Sequence, residues 1–193
     1  MARKKHEFRP DTYRQDILGK LLLTKKQSQV LLRWVLYCTV CLVGLLIQDV
    51  VMSRFTIFGT TTDLVPCCIL AICVMQGAES GCIFALIASM VYYFSGSAPG
   101  IFAIPMITIT AVFAAVFRQA YLRKGFSTML ICTGIALMLY EMGTFLIGLF
   151  LGSTISSRFQ AFLIGGLITL ALIPLLYPIL LSIGKIGGET WKE

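Results

Sequence analysis

Six stretches of fifteen or more residues in this 193-residue chain carry no charge: 34–48, 64–78, 80–117, 125–140, 142–157 and 159–184. This pattern constrains the fold more than any other feature. A water-exposed helix or strand needs charged or polar residues along its outer face, and these stretches cannot supply them. Charged residues make up 13% of the chain, against about 25% in a soluble domain. Hydrophobic residues reach 58%, enough for five or six spans of ~20 residues each. A soluble globule, a disordered chain and a disulfide-knotted secreted peptide are thereby excluded, and the small polar remainder argues against a large aqueous catalytic domain.

The run 80–117 is 38 residues long, too long for one span, and it contains the turn-forming segment Ser95-Gly96-Ser97-Ala98-Pro99-Gly100. The chain therefore reads as an all-α integral membrane protein with six transmembrane helices, at about 31–52, 62–77, 80–95, 100–121, 126–151 and 159–183. The second and third are short. About fifteen residues reach roughly 22 Å, less than the ~30 Å hydrocarbon core, so one bent span or a re-entrant pair is the competing reading.

Basic residues arbitrate, because cytoplasmic loops carry the excess of Lys and Arg. Nine of the 16 precede residue 34: Arg3, Lys4, Lys5, Arg9, Arg14, Lys20, Lys25, Lys26 and Arg33. Six spans with both termini in the cytoplasm put 14 basic residues inside, and leave two, Arg54 and Arg158, outside. Merging 62–95 into one span changes the split to ten against six. The first arrangement follows the rule far better.

Residues 1–30 read as a basic cytoplasmic tail, 31–185 as the membrane domain and 186–193 as a short cytoplasmic tail. Ile17, Leu18, Leu21 and Leu22 recur at helical spacing beside Arg14, Lys20, Lys25 and Lys26. That suits a short helix in a headgroup layer rich in anionic lipid, although a plain orientation signal accounts for the same charges. The tail lacks the apolar segment of a signal peptide. Membrane orientation also explains the net charge of +7, so no nucleic-acid partner is expected.

Reactive chemistry is scarce. The single histidine is His6, in the tail. This argues against Ser/His proteolysis, zinc-dependent intramembrane proteolysis and most His-based general-base schemes. There is no Gly-rich phosphate loop and no carboxylate cluster suited to Mg²⁺. The expectation is a protein that is not an enzyme, with no catalytic residues, no metal and no cofactor. Cys38-x-x-Cys41 has ligand spacing, but it lacks a second pair and reads as packing, like the other five cysteines.

The candidate functional residues are the few polar groups at membrane depth. Glu141 is the sixteenth residue of its span. A charge there is costly, so it is expected to be protonated or paired. Its role is either a polar contact in a cavity or partner interface, or a neutral side chain satisfied inside its own bundle. Tyr140 and Tyr92 are candidate hydrogen-bonding partners. Asp63 precedes Leu64-Val65-Pro66 and is expected to cap a helix N-terminus. Glu79 falls in the tight turn Gly77-Ala78-Glu79-Ser80-Gly81 and is expected to be solvated. Gly148-x-x-x-Gly152 has small-residue spacing for helix packing. Arg118, Arg123 and Lys124 form the basic cytoplasmic loop, and Pro105, Pro174 and Pro178 are expected to kink spans four and six.

Over residues 48–105 the chain resembles the rod shape-determining protein MreD family. The resemblance rests on Gln48 ending span one, Phe58-Gly59, Asp63-Leu64, the Gly77 to Gly81 turn, and Ser95 to Gly100 opening span four. Total length, six spans and the basic tail agree with it. Where the family often reads Pro-Asp-Leu, this chain has Thr62-Asp63-Leu64 with proline two places later at Pro66. Where the family has an acidic residue before the following loop, Tyr92 stands here.

The resemblance implies a non-enzymatic scaffold of the bacterial cell-elongation complex, in the inner (cytoplasmic) membrane. Its implied partners are MreC, the actin-like MreB filament, and the glycosyltransferase and transpeptidase of peptidoglycan synthesis. It also implies a fold like the S components of energy-coupling factor vitamin transporters, and substrate capture for such a transporter is the alternative function. Span one lacks the Ala-x-x-x-Ala stripe that such subunits use for docking, which favours the scaffold.

Overall fold

The computed structural model describes residues 25–51, 54, 62–123 and 125–186. The tail helix expected around 17–22, Phe58-Gly59 and Lys124 lie outside the described residues. Among the described residues seven α-helices follow in order: α1 (Lys25–Val50), α2 (Leu64–Gln76), α3 (Ala78–Phe94), α4 (Ala103–Tyr121), α5 (Phe126–Phe150), α6 (Phe159–Leu170) and α7 (Ile173–Gly184), with a 3₁₀ turn at Ser156–Arg158 before α6. No strand occurs among the described residues.

Three of these helices, α1, α4 and α5, are individually long and apolar enough to cross a membrane. A fourth span forms if α6 and α7, which meet at a bend of 44°, are taken together. Large apolar side chains stand exposed on the outer faces, among them Leu46, Ile87, Ile109, Phe113 and Ile135. Such an exterior suits lipid and not water.

The short helix α2 is the core. Twelve of its 13 residues are buried, and it touches every other described helix. A helix that is apolar all round belongs inside a bundle, and LVPCCILAICVMQ has no polar residue until Gln76. Because protein surrounds it, its length of roughly 20 Å need not match the bilayer.

Gly77, at φ 101°, turns the chain directly from α2 into α3. That backbone conformation is one a side chain rarely tolerates. Gly81 then lets α3 lie against α2: a Cβ there would stand 3.1 Å from Cys73 Cα. The Cys73 thiol donates to the Gly81 carbonyl at 3.0 Å.

The prolines act differently in the two spans: span six bends by 44°, as expected, and span four runs unbroken. Pro105 is the third residue of α4 and causes no break. In a first turn the backbone N–H has no intrahelical partner to lose. Span six is broken outright: the chain turns at Ala171–Leu172. Pro174, with no N–H to reach the Leu170 carbonyl, prevents α6 from running on.

Candidate functional site: a buried polar cluster

At one end of the core, polar groups from five helices and a loop meet. The N-terminus of α2 leaves backbone N–H groups without partners inside the helix. Gln48 of α1 supplies one: its Oε1 accepts from the Val65 N–H at 2.9 Å. The Gln48 Nε2 donates to the Tyr92 hydroxyl at 3.4 Å, and Tyr92 donates in turn to the Ser97 carbonyl at 3.2 Å. Ser97 Oγ donates to the carboxylate of exposed Asp49. This chain of bonds ties the end of α1, the start of α2, the end of α3 and the 95–100 loop together.

Asp63 stands at the N-cap position of α2, but its side chain makes no capping bond. The expectation of a side-chain cap is corrected here: Gln48 does that work from another helix. The Asp63 backbone N–H donates to Thr169 Oγ1 of α6 at 3.2 Å, and Thr169 donates to the Gly165 carbonyl at 2.8 Å.

The Asp63 side chain lies close to that of Glu141. Glu141 is only 6% exposed. Gly166 gives it room to cross toward α6, since a Cβ at Gly166 would sit 3.4 Å from Glu141 Cγ.

Tyr140, fully buried, faces Asp63, Glu141 and Tyr92, yet its hydroxyl makes no hydrogen bond of normal length and angle. Four of the five polar candidates, Asp63, Tyr92, Tyr140 and Glu141, thus converge. The fifth, Glu79, is exposed in the first turn of α3, at the other end of the bundle.

At that opposite end, Arg118 is 5% exposed and its Nη1 donates to the Met75 carbonyl at 3.5 Å. It was expected as an open basic contact. Instead it neutralises the negative end of the α2 dipole. Gln76 Nε2 donates to the buried Tyr37 hydroxyl at 2.8 Å. Arg123 is exposed.

The Gly148-x-x-x-Gly152 pair is not a helix-packing motif. Gly152 lies at φ 68° just past α5, the Ser153 N–H bonds the Gly148 carbonyl at 2.9 Å and the Gly152 N–H bonds the Leu149 carbonyl at 3.1 Å. This is a Schellman C-cap. Composition alone does not distinguish such a cap from a packing stripe.

All seven cysteines are free thiols, and no group of three possible metal-ligating side chains occurs among the described residues. A groove of about 530 Å³ lies between α1 and α3, running from Trp34 to Leu45 on one side and from Ser80 to Val91 on the other, with Val65 as its floor. Its lining is apolar apart from Ser80 and two thiols.

A helical bundle with an apolar exterior and three or four segments long and apolar enough to cross a bilayer fits the class of membrane proteins. Beyond that class, no known protein family, curated protein or solved structure matches this chain.

Proposed function

We propose that the chain is a non-enzymatic scaffold of a bacterial cell-elongation complex in the inner membrane, of the kind the MreD resemblance implies. Its role is to hold the single-span protein MreC by helix packing and, through that complex, to assist MreB and the wall-synthesis glycosyltransferase and transpeptidase.

The observation that carries this reading is the groove between α1 and α3. It opens toward lipid and is almost wholly apolar. It is long enough to take side chains from two or three turns of a partner helix. A vitamin-capturing subunit needs convergent polar groups around a cavity, and this lining offers one hydroxyl.

In the proposed arrangement α2 and α3 both cross, giving six crossings with both ends in the cytoplasm. The Gly77 turn, Arg118 and Arg123 then share the cytoplasmic side, and Ser95 to Gly100 faces out. The quoted family-like residues also have structural work: Gln48 caps α2, Gly77 turns the hairpin, Gly81 closes it, and Ser97 receives Tyr92.

The test is co-purification of the full chain with MreC in mild detergent, before and after filling the groove with Ala88→Trp. Capture by the wild type and at least tenfold loss in the variant is the expected result. Capture that ignores the substitution removes the groove from the reading. Absence of capture together with stoichiometric retention of a vitamin makes the transporter subunit the correct function.

A further inference from the structure

Beyond the scaffold reading, we propose a second docking surface, on the side of the bundle formed by α5 and α6. Its occupant is a membrane-spanning helix of another protein that carries a hydrogen-bond donor, an amide or a hydroxyl, near the bilayer centre. The surface shares no residue with the groove between α1 and α3.

The break between α6 and α7 carries this. Each of the two helices has 12 residues, about 18 Å of rise. Taken as one span, they place Ala171 and Leu172 near the bilayer centre, roughly 15 Å from either edge of the hydrocarbon core. Water is absent there, so each backbone polar group needs a partner in protein.

Two carbonyls have none. In an unbroken helix the Leu170 carbonyl would accept from residue 174, and the Ala171 carbonyl from residue 175. Residue 174 is proline, with no N–H to give. The Leu175 N–H turns instead to the Leu172 carbonyl at 3.1 Å, where the Leu176 N–H also donates. No hydrogen bond among the described residues reaches the carbonyl of Leu170 or of Ala171. The buried residue before them is served: the Thr169 carbonyl accepts from the Leu172 N–H at 3.0 Å, and the Thr169 hydroxyl donates to the Gly165 carbonyl at 2.8 Å.

The two orphan acceptors belong to the outer side of the bundle. Ala171 and Pro174 are exposed, and Leu170 is half-buried. The Leu170 side chain seats on Gly134 of α5, where a Cβ would stand 2.6 Å from its Cδ1. Both residues line a concavity of about 440 Å³ that runs along α5 from Leu130 to Met142. That length matches about three turns of a helix, and no polar side chain lines it.

The unpaired carbonyls select the occupant. An acyl chain fits the concavity but has no donor. A second copy of this chain docked face to face brings none either, because the exposed side chains around the break (Ile131, Ile135, Leu139, Leu167 and Leu175) are all hydrocarbon. A helix of another protein can pack along α5 and bring an amide or hydroxyl to the break. Hydrogen bonds between helices in lipid are worth about 1–2 kcal/mol in peptide systems, or roughly 5- to 30-fold in affinity.

The experiment uses the full chain reconstituted in phosphatidylcholine vesicles. Two synthetic transmembrane peptides serve as probes, identical leucine–alanine helices with either asparagine or leucine at the central position. Both are used at a low peptide-to-lipid ratio, and binding is read by energy transfer to a dye on the C-terminus of the chain. The asparagine peptide should bind about fivefold or more tightly than its leucine twin. Ile135→Trp, which fills the concavity, should remove that advantage. Pro174→Ala, which returns an N–H to the Leu170 carbonyl, should bring the two peptides to within about twofold of each other.

Equal binding of the two peptides to the wild type, asparagine-peptide binding that ignores Ile135→Trp, or a preference unchanged in Pro174→Ala would each overturn the proposal. So would tighter binding of a peptide with its asparagine moved to one end, which places the break at the membrane surface within reach of water. If Pro174→Ala does not fold, the wild type and Ile135→Trp decide alone. None of these readouts involves the groove between α1 and α3, so their failure is distinct from a failure to capture MreC.

Discussion

Replacing Gln48 with methionine tests the most unexpected contact in the fold. Methionine has nearly the same length and fills the same space, so packing changes little. What it removes is the Oε1 acceptor 2.9 Å from the Val65 N–H. That donor sits in the first turn of a fully enclosed helix, where neither water nor lipid can replace the lost partner. A buried donor left alone costs about 1–3 kcal/mol. The Tyr92 hydroxyl also loses its bond from Gln48 Nε2, but it keeps its bond to Ser97. For a chain of this size each kcal/mol moves the midpoint by about 2–4 °C, so a fall of roughly 2–12 °C is expected. Thermal unfolding in detergent, followed by helical circular dichroism, measures it. Tyr92→Phe should cost less than Gln48→Met, because no backbone N–H is orphaned. A Gln48→Met protein within ~0.5 kcal/mol of wild type, the range of inert substitutions, would refute the assignment of Gln48 as the cap of α2.

Further substitutions separate the packing claims. Gly81→Ala drives a Cβ to 3.1 Å from Cys73 backbone and should cost about 1–3 kcal/mol, whereas Gly125→Ala meets nothing within 4 Å and should leave the melting midpoint unchanged. Arg118→Met removes a charged donor from the Met75 carbonyl and should destabilise by about 1.5–3 kcal/mol, read by the same melt. Gly152→Ala, at φ 68° with open space around it, should cost about 1–2 kcal/mol through backbone strain alone. Glu141→Leu leaves Asp63 without its partner in the core and should weaken assembly with MreC in the co-purification assay, while Glu141→Gln retains a hydrogen-bonding side chain and should assemble.

The long helices were legible because lipid leaves a mark on sequence: α4 and α5 lie within three residues of the expected limits, while α1 starts six residues early, at Lys25, in what read as the tail. The loop at Ser95 to Gly100 and the turn at Gly77 carried their own local chemistry. The core was not legible in the same way. Nothing near Asp63 announces Glu141, and nothing near Gln48 announces Val65, because these contacts join helices distant in the chain. Asp63 resembled a cap by its neighbours, yet the cap came from α1. Arg118 looked like an exposed loop residue because its role depends on where α2 ends in space. Gly148 and Gly152 fit two motifs equally well by spacing, and only the φ of Gly152 separates them. The break at Ala171 was signalled by Pro174, but its 44° angle is set by packing.

Whether the 17-residue α3 crosses the membrane decides the architecture on which the scaffold account stands. Reporter cysteines at the two ends of that helix, Glu79→Cys and Gly96→Cys, can be introduced into a chain lacking Cys38 and Cys82 and treated with a membrane-impermeant thiol reagent on cells with a permeabilised outer membrane. The account predicts labelling at position 96 from the periplasm and at position 79 only after the inner membrane is opened. Labelling of both positions from the same side would contradict it.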